Sequence, residues 1–145
     1  MESAVQIAVE MSKIVPTMIR HMYPYVFATI DLPPSQVIAI STIYEIGECR
    51  LGELSKQMHI SAPTVTGIID RLEESGYVKR TPDAEDRRAI KIHLTPAGKK
   101  VAVQFRENIK NRWHLILAKL PPQEQMNILN TVTKITKGFI DETNH

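Results

Sequence analysis

Apolar side chains recur every three or four residues along most of this chain, and at every second residue in one short stretch past its middle. The two periods separate helices from strands, because a helical turn and a strand pleat bring different positions to one face. Over residues 3–29, Val5, Ala8, Met11, Val15, Met18, Met22, Val26 and Phe27 form a helical stripe that Pro16 and Pro24 are expected to kink. Asp31-Leu32-Pro33-Pro34 breaks the pattern. Val37, Ile38, Ser41, Tyr44 and Glu45 resume it, predicting a second helix over about 34–46 with Gly47 at its C-cap.

Two short helical patterns follow with only a few residues between them. Leu51, Leu54 and Met58 share one face; His59-Ile60 makes the turn, with Ile60 as a buried plug. Ser61 is then an N-cap, Pro63 fits a first turn, and Val65, Ile68, Ile69 and Leu72 fall at i, i+3, i+4, i+7. This is a helix-turn-helix. Tyr77-Val78-Lys79-Arg80 reads as a strand, Pro82 to Arg87 as a polar tip, and Ile90, Ile92 and Leu94 alternate with Ala89, Lys91 and His93 as the return strand. Thr95 caps and Pro96 opens a long helix carrying Val101, Phe105, Ile109, Trp113, Ile116 and Leu120, which Pro121-Pro122 ends. A last helix bears Met126, Leu129, Val132, Ile135 and Phe139, a stripe that needs a partner. The fold class expected is mostly α with a small β-hairpin wing, a single domain over 1–145. A winged helix-turn-helix lobe over 34–95 is flanked by helices in 1–30 and 96–145.

The helix that begins after Ser61 turns Pro63, Thr66, Gly67, Asp70, Arg71 and Glu74 away from its apolar face, with Ser61 and Thr64 at its start. A small, hydroxyl-rich N-terminal half suits close approach to a major-groove floor, where hydroxyls meet base edges and free amides meet phosphate. Asp70 and Glu74 belong further out, since phosphate repels them, and Arg71 reaches towards the backbone. In the hairpin, Asp86 precedes Arg87 and Arg88. A carboxylate beside a guanidinium is expected to orient it for a narrow minor groove, which singles out Arg88.

Charge sharpens this picture although the net value of +2 is unremarkable in itself. Residues 77–100 hold seven Lys or Arg against three acids, a local excess that attracts phosphate. Composition is that of an ordinary globular chain, 43% hydrophobic and 23% charged. With one cysteine, Cys49, neither an intrachain disulfide nor a cysteine zinc cluster can form, and no leader or membrane span is evident, so a cytoplasmic location is expected. No phosphate loop, nucleophile elbow or cofactor turn points to an enzyme, and no metal or cofactor is assigned.

Residues 51–98 resemble the core of the MarR (multiple antibiotic resistance regulator) family, including the Asp86-Arg87-Arg88 tip and the Leu94-Thr95-Pro96 exit followed by Gly98. The resemblance implies a homodimer, with intertwined N- and C-terminal helices, that binds a pseudo-palindromic operator in double-stranded DNA. It also implies repression of neighbouring genes and release when a small molecule or oxidant binds. By position it assigns Ser61, Pro63, Thr64 and Thr66 to the major groove, Arg71 to the backbone, and Asp86, Arg87 and Arg88 to the wing. Ala62 stands where relatives often carry a longer polar side chain, and Gly52 where they often have a Ser or Thr N-cap. Cys49 is not near the N-terminus, where the family's peroxide sensors carry their cysteine, and is expected to be a small buried hydrophobe. Met18, His21, Met22 and Tyr25 on the first helix, opposite Tyr44 on the second, are candidates for an aromatic effector pocket, and the same residues suit a packed core. A winged helix also serves as a protein-interaction module that reads no DNA.

Overall fold

The computed structural model describes residues 3–145. In chain order the elements are α1 (Ala4–Val26), α2 (Pro34–Ile46), β1 (Cys49–Arg50), α3 (Leu51–Met58), α4 (Ala62–Glu74), β2 (Val78–Pro82), β3 (Ile90–Leu94), α5 (Pro96–Leu117) and α6 (Pro122–Thr143). The chain divides into two compact units, Met1–Ile109 and Lys110–His145.

In the first unit, Ser3 opens α1 with a capping box: its hydroxyl accepts from the Gln6 N–H, and the Gln6 side chain accepts from the Ser3 N–H. The helix runs through Pro16 and Pro24 and buries none of its residues. Asn108 on α5 holds its C-terminal end, donating to the carbonyls of Val26 at 3.2 Å and Ala28 at 2.6 Å. The core lies further along the chain. Val37, Ile40 and Ile43 of α2, Leu54 of α3, Val65, Ile69 and Leu72 of α4, and Ile92 of β3 are at most 2% exposed. Each such side chain contributes roughly 1.5–3 kcal/mol of apolar burial, so the helix-turn-helix and its sheet carry the stability of this unit.

The helix-turn-helix has the predicted elements. Ser61 caps α4, and His59 makes the turn in the left-handed region (φ 56°), with Ile60 packed against the core. The sheet holds one strand more than the hairpin expected from alternation: its order is β1-β3-β2, all antiparallel, with Cys49 opposite Ile92 and Val78 opposite Leu94. Two residues are too few to show a period. This strand also moves the start of α3. Arg50 is its N-cap, and Gly52 lies inside the helix rather than at the capping position the resemblance assigned to it. Ile90, inward by alternation, is 53% exposed because it lies at the last rung before the tip, opposite Pro82.

In the second unit, α6 starts with Pro122 in its first turn, and the Gln125 side chain donates to the carbonyls of Leu117 and Leu120, both at 2.9 Å. Trp113, Leu117, Ile128, Leu129 and Val132 line an apolar cleft of about 270 Å³. α6 buries no residue, and Leu129, Phe139 and Ile140 are each more than half exposed. Among the described residues no helix is long and apolar enough to cross a membrane.

Candidate nucleic-acid interface

The buried side of α4, formed by Val65, Ile68, Ile69 and Leu72, fixes which side faces out. Ser61, Pro63, Thr64, Asp70 and Arg71 are exposed, as the period requires, and Thr66 and Gly67 are half-buried. A Cβ built on Gly67 would meet nothing within 4 Å, so the helix presents open space at its outward midpoint. The hydroxyls are already organised. Ser61 Oγ accepts from the Thr64 N–H and pairs with Thr64 Oγ1 at 2.8 Å, while Thr66 Oγ1 donates to the Ala62 carbonyl at 2.9 Å. With its proton committed, Thr66 offers a ligand acceptor lone pairs, whereas one proton of the Ser61–Thr64 pair remains for donation outward.

Two of the three acids on this helix are held by a residue that the sequence did not single out. Arg80 of β2 reaches Asp70 with Nη2 at 2.6 Å and Glu73 with Nη1 at 2.9 Å, and its backbone N–H donates to Glu73 at 3.2 Å. The Arg80 side chain is only 24% exposed, so this fork is a joint between strand and helix more than a loose surface pair. It offsets charge that phosphate would otherwise meet. The contact joins a helix to a strand across a turn, so neither element's own period reveals it.

The wing tip is built around two carboxylates. Asp86 Oδ1 accepts from the Arg88 backbone N–H at 3.0 Å, and the Ala89 N–H donates to the Asp86 carbonyl at 3.0 Å. Asp86 therefore shapes the turn through the backbone of Arg88, not by gripping its guanidinium as the sequence led us to expect. Arg87 and Arg88 are exposed, and neither makes an ion pair among the described residues. The second carboxylate, Asp83, is buried at the base of the tip and accepts from Arg50 Nη2 at 2.7 Å, Arg50 Nε at 3.0 Å and the Glu85 N–H at 3.0 Å. The Glu85 amide and the Arg50 guanidinium hold its carboxyl below the usual carboxylate range.

Of the effector candidates, one cleft takes Tyr44 alone. Tyr44 lies at a cleft of about 360 Å³ shared with Ile43, Glu48, His93 and Lys99, and the Arg106 guanidinium sits 5.0 Å from the centre of its ring. Met18, His21, Met22 and Tyr25 do not line that cleft. Tyr23 of α1 packs tilted, ring centres 4.8 Å apart, against Phe27 at the helix C-cap, which packs at 5.4 Å against Phe105 of α5. Cys49 is buried, and burial together with the nearby Glu53 charge pushes its thiol up to about 11. No group of three or more His, Cys, Asp or Glu among the described residues is arranged to hold a metal ion.

Comparison with known proteins agrees with the fold. Residues 32–90 match the model of the MarR family. An uncharacterized HTH-type transcriptional regulator, YsmB, of Bacillus subtilis (strain 168) is 37% identical over 70 residues, 48% of each chain. The match therefore spans about half the length of that curated relative. A MarR family protein from Bacillus stearothermophilus has the same fold at a TM-score of 0.85 and 20% identity, over 96% of this chain and 99% of that one. Streptococcus pneumoniae FabT, solved in complex with DNA, aligns at a TM-score of 0.77 and 19% identity over the same shares.

Proposed function

We propose that this chain is a regulator of the MarR family, a sequence-specific DNA-binding transcriptional regulator acting as a homodimer. The observation that carries the reading is the pairing of an exposed, hydroxyl-bearing start of α4 with two unpaired arginines at the wing tip. Ser61, Pro63, Thr64 and Thr66 meet the major groove, where Gly67 permits close approach. Arg71 takes a phosphate, and Arg87 and Arg88, on a tip shaped by Asp86, enter the minor groove. The chain works in the cytoplasm and catalyses no reaction.

A second copy of the chain covers the apolar faces of α1 and α6. Val5, Ile14 and Ile19 on α1 and Leu129, Phe139 and Ile140 on α6 are more than half exposed, more apolar surface than a soluble monomer leaves open. Two-fold symmetry then matches a pseudo-palindromic operator with half-sites about one helical turn apart. Occupancy represses the adjacent genes until a small molecule releases the dimer.

The test is footprinting of the purified protein on its own promoter region. Two protected half-sites related by a dyad are expected. Equal protection of every fragment, or protection of none at low salt, rejects the reading.

A further inference from the structure

The wing hairpin meets the rest of its unit's sheet through a short seam. β1 contributes only Cys49 and Arg50 to the ladder with β3, and the β2–β3 ladder stops at Pro82 and Ile90. Beyond that rung the tip carries the arginines assigned to DNA. At this boundary sits Asp83, with only 2% of its side chain exposed, although the tip residues around it, Ala84 to Arg88, are exposed. Its carboxylate takes both donors of the Arg50 fork and the Glu85 amide, and its own N–H donates to the Ala89 carbonyl at 3.0 Å, closing the tip from the other side. Arg50 in turn is the N-cap of α3, where its N–H donates to Glu53 at 3.3 Å. A single arginine thus joins the first helix of the helix-turn-helix, the central strand and the wing.

We propose that Arg50 and Asp83 are positioning residues for DNA recognition: their ion pair fixes the wing tip against the helix-turn-helix, so that Arg87 and Arg88 reach the duplex already in place. Neither residue contacts DNA in this account. A tip held by its ladder alone loses order in the free protein and must be immobilised on binding, which weakens the complex. A guanidinium that brings two donors to one carboxylate oxygen, while the Glu85 amide holds the other, suits this role because its planar fork fixes direction as well as distance. A carboxylate so enclosed also needs a fixed cation to remain charged. This inference rests on the DNA-binding reading.

Two measurements test it, the first without DNA. Hydrogen exchange of the free protein should show the Glu85, Arg88 and Ala89 amides losing protection at least tenfold in Asp83→Asn and in Arg50→Lys, with the α4 amides unchanged. Unchanged tip protection in both variants overturns the proposal whatever the protein binds. The second is a double-mutant cycle on a duplex of the protein's own promoter. Asp83→Asn should weaken binding about tenfold in the wild-type background and by less than about twofold in an Arg88→Ala background, because a positioning residue acts through the tip it positions. A loss of the same factor in both backgrounds means general destabilisation and overturns the proposal. If the wild type binds no duplex while tip protection falls as expected, the DNA-binding reading fails and the positioning of the tip stands.

Discussion

Gly98, in the first turn of α5, lies so close to the carbonyl oxygen of Tyr77 that a Cβ at this position would overlap it. Thr95 completes the joint. Its hydroxyl donates to the Gly76 carbonyl at 2.6 Å and accepts from the Gly98 N–H at 3.2 Å, while its backbone N–H donates to the Tyr77 carbonyl at 3.1 Å. Gly76 itself sits at φ 83°, the left-handed turn that ends α4. The start of α5 is therefore fixed to the point where α4 hands over to the wing.

Gly98→Ala is expected to cost about 1 to 3 kcal/mol, since the blocking atom belongs to the backbone and cannot swing aside. Thermal denaturation should show a clear drop in midpoint. A midpoint equal to that of the wild type would mean that the contact relaxes freely.

Arg80→Ala leaves Asp70 and Glu73 unneutralised on the reading helix. Promoter binding should weaken by about 1 to 2 kcal/mol, and adding Asp70→Asn should recover part of that loss. Titrating single and double variants with labelled duplex separates the two contributions. If the second substitution recovers nothing, charge on the helix is not the cause.

Much of the placement of α4 and the wing was legible in the sequence, for reasons visible residue by residue. The outer face of α4 followed from the spacing of Val65, Ile68, Ile69 and Leu72, because a helix that buries one stripe has no choice over the other. The wing strands followed from Ile92 and Leu94. What stayed hidden depends on contacts between elements. Arg80 with Asp70 and Glu73, and Arg50 with Asp83, form only after helix, turn and strand have packed, and no period in the chain records them. The same limit explains Asp86: proximity to Arg88 in sequence was evident, but whether its carboxylate meets the guanidinium or the backbone amide depends on the shape of the turn. The cleft at Tyr44 is also lined by Glu48, His93 and Lys99, which belong to the loop after α2, to β3 and to α5, and no period in the chain groups them.

Cys49 should behave as an inert core residue. With its thiol pushed up to about 11 by burial, almost none is thiolate at neutral pH. A thiol reagent at pH 8 should label it at least tenfold more slowly in the folded protein than in denaturant. Equal labelling rates would contradict the burial.

The exposed face of α6 predicts association. Leu129→Asp puts a charge where the proposed homodimer buries a leucine, and should weaken the dimer by about 2 kcal/mol or more. Sedimentation at several concentrations reads this directly. A variant that remains dimeric to the same dilution as the wild type would remove α6 from the interface.

The most direct test of the central claim, that α4 and the wing tip together read DNA, is the affinity of wild type and Arg88→Ala for a duplex of the protein's own promoter over a range of salt concentrations. Wild-type binding should fall steeply and linearly in log–log form as salt rises. Arg88→Ala should bind about 1 to 3 kcal/mol more weakly, with a shallower slope and an unchanged thermal midpoint. Identical affinities and slopes for the two proteins would contradict that claim.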